Sequence, residues 1–168
     1  MSKKIEDSLE DPLLALAARL GAAALARGTM IATAESCTGG LVAGAITSIA
    51  GSSGWFERGF VTYSDLAKEQ QLGVASSTIE RFGAVSEETA KAMAQGAVRG
   101  AAAQWAVAVT GIAGPDGGSP DKPVGTVWFA WAGPDHLEAL KRQFDGDRAA
   151  VRQASVRVAL EGLIDRLA

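Results

Sequence analysis

Thr33-Ala34-Glu35-Ser36-Cys37-Thr38-Gly39-Gly40 is the stretch from which the fold of this chain is read. An apolar run, Met30, Ile31 and Ala32, leads into it, and Leu41, Val42, Ala45, Ile46 and Ile49 leave it at helical spacing, which makes it a strand-to-helix turn. The first turn of a helix carries N–H groups without intrahelical partners and the positive end of the helix dipole, so an anion or a developing oxyanion is stabilised there. A serine beside such donors suits a nucleophile. The alternative is that Ser36 or Thr38 caps the helix while the glycines allow a tight turn, and these eight residues alone do not separate the two readings.

Upstream, Asp11-Pro12 supplies a cap and a proline at the first helical position, predicting a helix from Pro12 to Arg27 that Gly28 ends. Its Leu13, Leu16, Leu20 and Leu25 lie near one stripe. Residues 1–10 read as a loose polar extension, leaving 11–168 as the domain. Downstream, the helix after the serine turn should end near Ala50-Gly51, a loop covers Gly51 to Gly54, and Phe60-Val61-Thr62-Tyr63 marks a strand over Phe56 to Tyr63. Ser64 or Asp65 caps a helix that ends at Gly73. A short helix follows over Ser76 to Phe82, and Ser86-Glu87-Glu88 opens a longer one to about Ala103.

Trp105 to Thr110 is a β-branched strand running straight into a second glycine-rich loop, Gly111-Ile112-Ala113-Gly114-Pro115-Asp116-Gly117-Gly118. Val124 to Ala132 and Leu137 to Phe144 predict a strand pair turning at Gly133-Pro134-Asp135, and Asp145-Gly146-Asp147 leads into a last helix to about Leu167. Helices alternating with strands, then an antiparallel pair, predict a single three-layer α/β/α domain with a mixed sheet.

The chain has 168 residues, 48% of them hydrophobic and 21% charged, with a formal charge of −3. That is enough for one cored domain, and it offers no basic footprint for nucleic acid or an anionic membrane. The segment Leu13 to Ala26 is broken by Arg19 and too short for a bilayer span. The single cysteine, Cys37, excludes an internal disulfide, and the first residues lack the apolar core of a signal peptide. The cytoplasm is the expected compartment. A symmetric homodimer is the base-rate expectation for assembly.

If their strands are neighbours, the two glycine-rich loops outline a pocket at the edge where open α/β sheets bind ligands. Neither loop carries the terminal Gly-Lys-Ser/Thr of a triphosphate loop or the spacing of the dinucleotide fingerprint, which argues against an ATPase or an ordinary dehydrogenase. His136 is the only histidine and reads as a turn residue beside Pro134 and Asp135, so neither a zinc site nor a Ser-His-Asp triad is expected. Lysine is then the natural base for Ser36. Lys68, near a predicted helix start where dipole and desolvation both favour a neutral amine, is the leading candidate, with Tyr63 just before that turn. The ordinary alternatives are a solvent-exposed lysine and a packed strand tyrosine with its hydroxyl at the surface.

Several motifs in one order carry a resemblance: Ala34 to Gly40, Tyr63-Ser64-Asp65-Leu66-Ala67-Lys68 with Leu72-Gly73-Val74, Gly83-Ala84-Val85-Ser86, Thr110 to Pro115, and Lys122-Pro123-Val124-Gly125-Thr126-Val127. From about Leu13 to Leu167 the chain closely resembles the CinA carboxy-terminal-domain family. The resemblance implies a nicotinamide-nucleotide amidohydrolase of pyridine-nucleotide salvage, converting nicotinamide mononucleotide and water to nicotinic acid mononucleotide and ammonia with no metal or other cofactor. It further implies Ser36 as nucleophile, Lys68 as its base and Tyr63 as a helper in proton transfer or orientation. Cys37, Thr38, Gly39, Gly40, Thr110, Gly111 and Gly114 would form the nucleotide site, with Arg148 on the phosphate. The sequence departs from the family at Asp65, where asparagine is common. Two rival readings stay open: a nonenzymatic nucleotide-binding or protein-interaction module that keeps the pocket, and a thiol enzyme using Cys37.

Overall fold

The computed structural model describes residues 11–168, so the extension expected over residues 1–10 lies outside the described residues. Helix α1, Pro12–Arg27, starts at Asp11, whose carboxylate accepts from the Leu13 N–H, and stops at Gly28 in the left-handed conformation. Strand β1, Ile31–Glu35, delivers the chain into the serine turn, and α2, Leu41–Thr47, carries it away. That helix ends earlier than expected. The hydroxyls of Thr47 and Ser48 donate to the carbonyls of Ala43 and Gly44, and a short 3-10 turn, Ser52–Gly54, forms within the expected loop.

Strand β2, Phe56–Val61, stops two residues short of Tyr63, because the carbonyls of Thr62 and Tyr63 turn inward to accept from the Lys68 ammonium or amine. Ser64 then caps α3, Asp65–Leu72, its hydroxyl accepting from the Ala67 N–H. Helix α4, Ser76–Phe82, follows with no side-chain cap at Ala75, and α5, Glu87–Gly100, starts at Ser86, whose hydroxyl accepts from the Thr89 N–H. Strand β3, Trp105–Gly111, is followed by the hairpin β4, Thr126–Gly133, and β5, His136–Gln143, and helix α6, Arg148–Leu167, closes the chain.

The five strands form one mixed sheet in the order β2-β1-β3-β4-β5, parallel from β2 to β3 and antiparallel beyond. Because successive residues of a strand face opposite sides, the sheet has two distinct surfaces. One carries Ile31, Val107, Val109, Val127, Phe129 and Trp131 and packs against α1, α2 and α6. The other carries Ala32, Ala34, Ala106, Ala108, Ala130 and Ala132, small enough for α5 to lie close, with Leu72 of α3 and Ile79 of α4 completing that layer. These are the three layers the sequence predicts. Among the described residues, no helix is long and apolar enough to cross a membrane.

Strands β1 and β3 are direct parallel neighbours, Glu35 level with Val109, so both glycine-rich loops leave the same sheet edge side by side. The chain departs β1 toward one face and β2 toward the other. The serine turn and the Lys68 helix therefore converge on that edge from opposite faces, the placement at which open α/β sheets hold ligands.

Candidate active site

The serine turn is built around a buried carboxylate. Glu35, the last residue of β1, reaches past the turn and accepts from the N–H groups of Val42 at 2.9 Å and Ala43 at 3.0 Å. The N-terminus of α2 is thus filled by the protein's own anion. This corrects the expectation that the helix start offers its donors to a ligand. Ser36 itself donates its N–H to the Val109 carbonyl at 2.9 Å, continuing the sheet by one residue, while Gly39 and Leu41 donate to the carbonyls of Ser36 and Thr38. Gly39 and Gly40, with φ of 55° and 99°, supply the left-handed backbone that folds the turn.

Against this turn lies Lys68, 1% exposed, in the first turns of α3. Its Nζ stands 3.0 Å from Ser36 Oγ, 2.9 Å from the Thr62 carbonyl and 3.2 Å from the Tyr63 carbonyl. Burial lowers its pKa from the ordinary lysine value, opposed by the charge of Asp65 and by Cys37. A neutral amine has two N–H donors and one lone pair. The two nearer carbonyls take the donors, which leaves the lone pair for the Ser36 hydroxyl. Ser36 Oγ also lies 3.4 Å from the Tyr63 carbonyl.

Tyr63 contributes to this cluster with its backbone. Its side chain, in a residue 61% exposed, runs outward, and its hydroxyl accepts from Arg148 Nη2 at 3.1 Å. Arg148, the first residue of α6, also donates through Nη1 to the Gly114 carbonyl at 2.9 Å, bridging the second glycine loop to the tyrosine. Thr110, buried at the end of β3, donates its hydroxyl to the Ala84 carbonyl at 2.8 Å and so draws the chain between α4 and α5 to the site.

Ser36, Cys37, Tyr63, Lys68, Thr110, Gly111, Gly114 and Arg148 all line one cavity of about 300 Å³, within the roughly 300–1,000 Å³ of small-molecule sites. Thr38, Gly39 and Gly40 do not line it. Thr38 is fully buried, its hydroxyl without a partner among the described residues, and the two glycines shape the turn. Cys37 is 5% exposed, and burial pushes its thiol up to about 11, so it is protonated near neutrality. That weighs against a thiol nucleophile. His136 lies at the far end of the sheet, paired with Gly133 and accepting from Arg166.

Two contributors escaped the sequence reading. Asp116, in the second glycine loop, lines the cavity. Arg152 donates to the carbonyls of Cys37 at 3.1 Å and Thr38 at 3.3 Å, pinning the serine turn from α6. Its signal was present in the spacing, because it sits one helical turn beyond Arg148 and faces the same way.

Comparison with known proteins follows the same span. The family model of the CinA C-terminal domain matches residues 13–167. The chain is 53% identical over 154 residues to nicotinamide-nucleotide amidohydrolase PncC of Pseudomonas putida, covering 92% of this chain and 96% of that protein. To the protein of the same name in Escherichia coli K12 it is 54% identical over 155 residues, 92% of this chain and 94% of the relative. The crystal structure of a competence/damage-inducible protein from Agrobacterium tumefaciens superposes with a TM-score of 0.89 at 50% identity, covering 91% of this chain and 94% of that one.

Proposed function

This chain belongs to the CinA C-terminal domain family, and from that premise we propose that it hydrolyses the carboxamide of nicotinamide mononucleotide, giving nicotinic acid mononucleotide and ammonia in pyridine-nucleotide salvage. The relatives' activity supports the substrate. The observation that carries the chemistry is the buried Lys68 Nζ 3.0 Å from Ser36 Oγ.

In the proposed sequence Ser36 Oγ attacks the carboxamide carbon while the Lys68 amine takes its proton. The carbonyl oxygen becomes an oxyanion. The N–H of Cys37, the residue after the nucleophile, is its donor, since within the turn those of Ser36, Gly39, Leu41, Val42 and Ala43 already have partners among the described residues and Thr38 and Gly40 do not line the cavity. The Lys68 ammonium passes its proton to the amide nitrogen, the C–N bond breaks and ammonia leaves. Water then attacks the ester, Lys68 accepting its proton and returning it to Ser36 as the acid departs. Arg148 holds the substrate's phosphate at the other end of the cavity.

The test is product stoichiometry with purified protein: ammonia and nicotinic acid mononucleotide released one to one from nicotinamide mononucleotide. Folded protein that binds the nucleotide and releases no ammonia would instead favour a binding module.

A further inference from the structure

We propose that Tyr63 acts at the phosphate end of the substrate by positioning Arg148, and so sets the preference for a phosphorylated nucleotide over its nucleoside. The proposal rests on the reading of the substrate as a nucleotide carboxamide. It separates the two halves of one residue: the Tyr63 carbonyl sits among Ser36 and Lys68, whereas its phenol leaves that cluster and meets α6.

The geometry carries this assignment. Arg148 is an exposed first residue of a helix, with long side-chain freedom that costs binding energy when it must be ordered. Two bonds remove that freedom here, one to the Gly114 carbonyl and one to the Tyr63 hydroxyl. Those bonds occupy one N–H on each terminal nitrogen, leaving the remaining guanidinium donors for a ligand. In this pair the tyrosine oxygen is the acceptor, which leaves its own O–H free to donate. A guanidinium and a phenol that already touch, on two residues that both line the cavity, form a two-membered anion clamp. Among the described residues, no hydrogen bond joins that hydroxyl to Ser36 or Lys68, the contact a proton carrier would need.

The experiment measures kcat/KM for nicotinamide mononucleotide and for nicotinamide riboside, the same carboxamide without phosphate, in wild type, Tyr63→Phe, Arg148→Gln and the double variant. Losing a charge-assisted bond should reduce the nucleotide-over-nucleoside ratio about tenfold in Tyr63→Phe, mainly through KM. Arg148→Gln should lose more, and the double variant should match Arg148→Gln because the tyrosine acts through the arginine. A ratio unchanged in Tyr63→Phe, with both substrates slowed alike and the pH profile displaced, would overturn the proposal and return Tyr63 to the serine proton.

Titration calorimetry with ribose 5-phosphate decides the clamp independently of turnover. About tenfold weaker binding in Tyr63→Phe is expected. Equal binding by wild type and variant, or binding by neither, would overturn the clamp. Absence of ammonia release from wild type that still binds ribose 5-phosphate in this Tyr63-dependent way would count against the assigned reaction alone.

Discussion

Lys68 is the base of the proposed mechanism, and its burial has a stability cost that can be measured. Its folded pKa lies below the ordinary lysine value, so between those two pH values the unfolded chain binds more protons and wild-type stability rises with pH. Below the folded pKa the desolvation penalty is fully present. Lys68→Met should therefore abolish turnover, by about a thousandfold or more, while leaving thermal stability at pH 7 equal to or above wild type. Its stability advantage should shrink as the pH approaches 10, which melting curves across that range would check.

Asp65 works the other way. Its negative charge favours the Lys68 ammonium, so Asp65→Asn should lower the Lys68 pKa further. The acid limb of the kcat/KM profile should then move to lower pH. A limb that stays in place or moves up would count against Lys68 as the group titrating there.

At the scale of elements, the site depends on helix α3 being held where it puts Lys68 against Ser36. That placement relies on a backbone approach between α3 and α5 at Gly96, where an added Cβ would lie 2.0 Å from the Leu72 carbonyl oxygen. Backbone cannot yield there as a flexible side chain would. Gly96→Ala should cost about 1–3 kcal/mol in chemical denaturation, and because Leu72 ends the helix that carries Lys68, turnover should fall with it. Full stability and full activity together would show that the contact can relax.

Elements were also what the sequence expressed best. Caps at Asp11, Ser64, Ser86 and Asp147 began helices where expected, because a capping side chain acts on its own neighbours within three residues. Strand ends were less legible. β2 stops short of Tyr63 because Thr62 and Tyr63 turn their carbonyls to Lys68, a tertiary demand that no local pattern encodes.

For the whole molecule, the site exists because β1 and β3 are neighbours although α2, β2 and three further helices separate them in sequence. The motifs pointed to Ser36, Lys68, Thr110 and Arg148, and the sheet brings them around one cavity. What stayed hidden were relations between distant groups. Glu35 looked like part of the ligand-facing turn and instead fills the start of α2, and Arg152 reaches the serine turn from 115 positions away in the chain. Tyr63 was visible as a candidate site residue, but the Arg148 contact from which its place at the phosphate end is proposed comes from α6, 85 positions away.

The central claim is that Ser36, activated by Lys68, performs the hydrolysis, and ammonia release from nicotinamide mononucleotide by Ser36→Ala beside wild type tests it most directly. Wild type should release ammonia, and the variant should lose about a thousandfold or more at unchanged melting temperature. Turnover of the variant at the wild-type rate would contradict that claim.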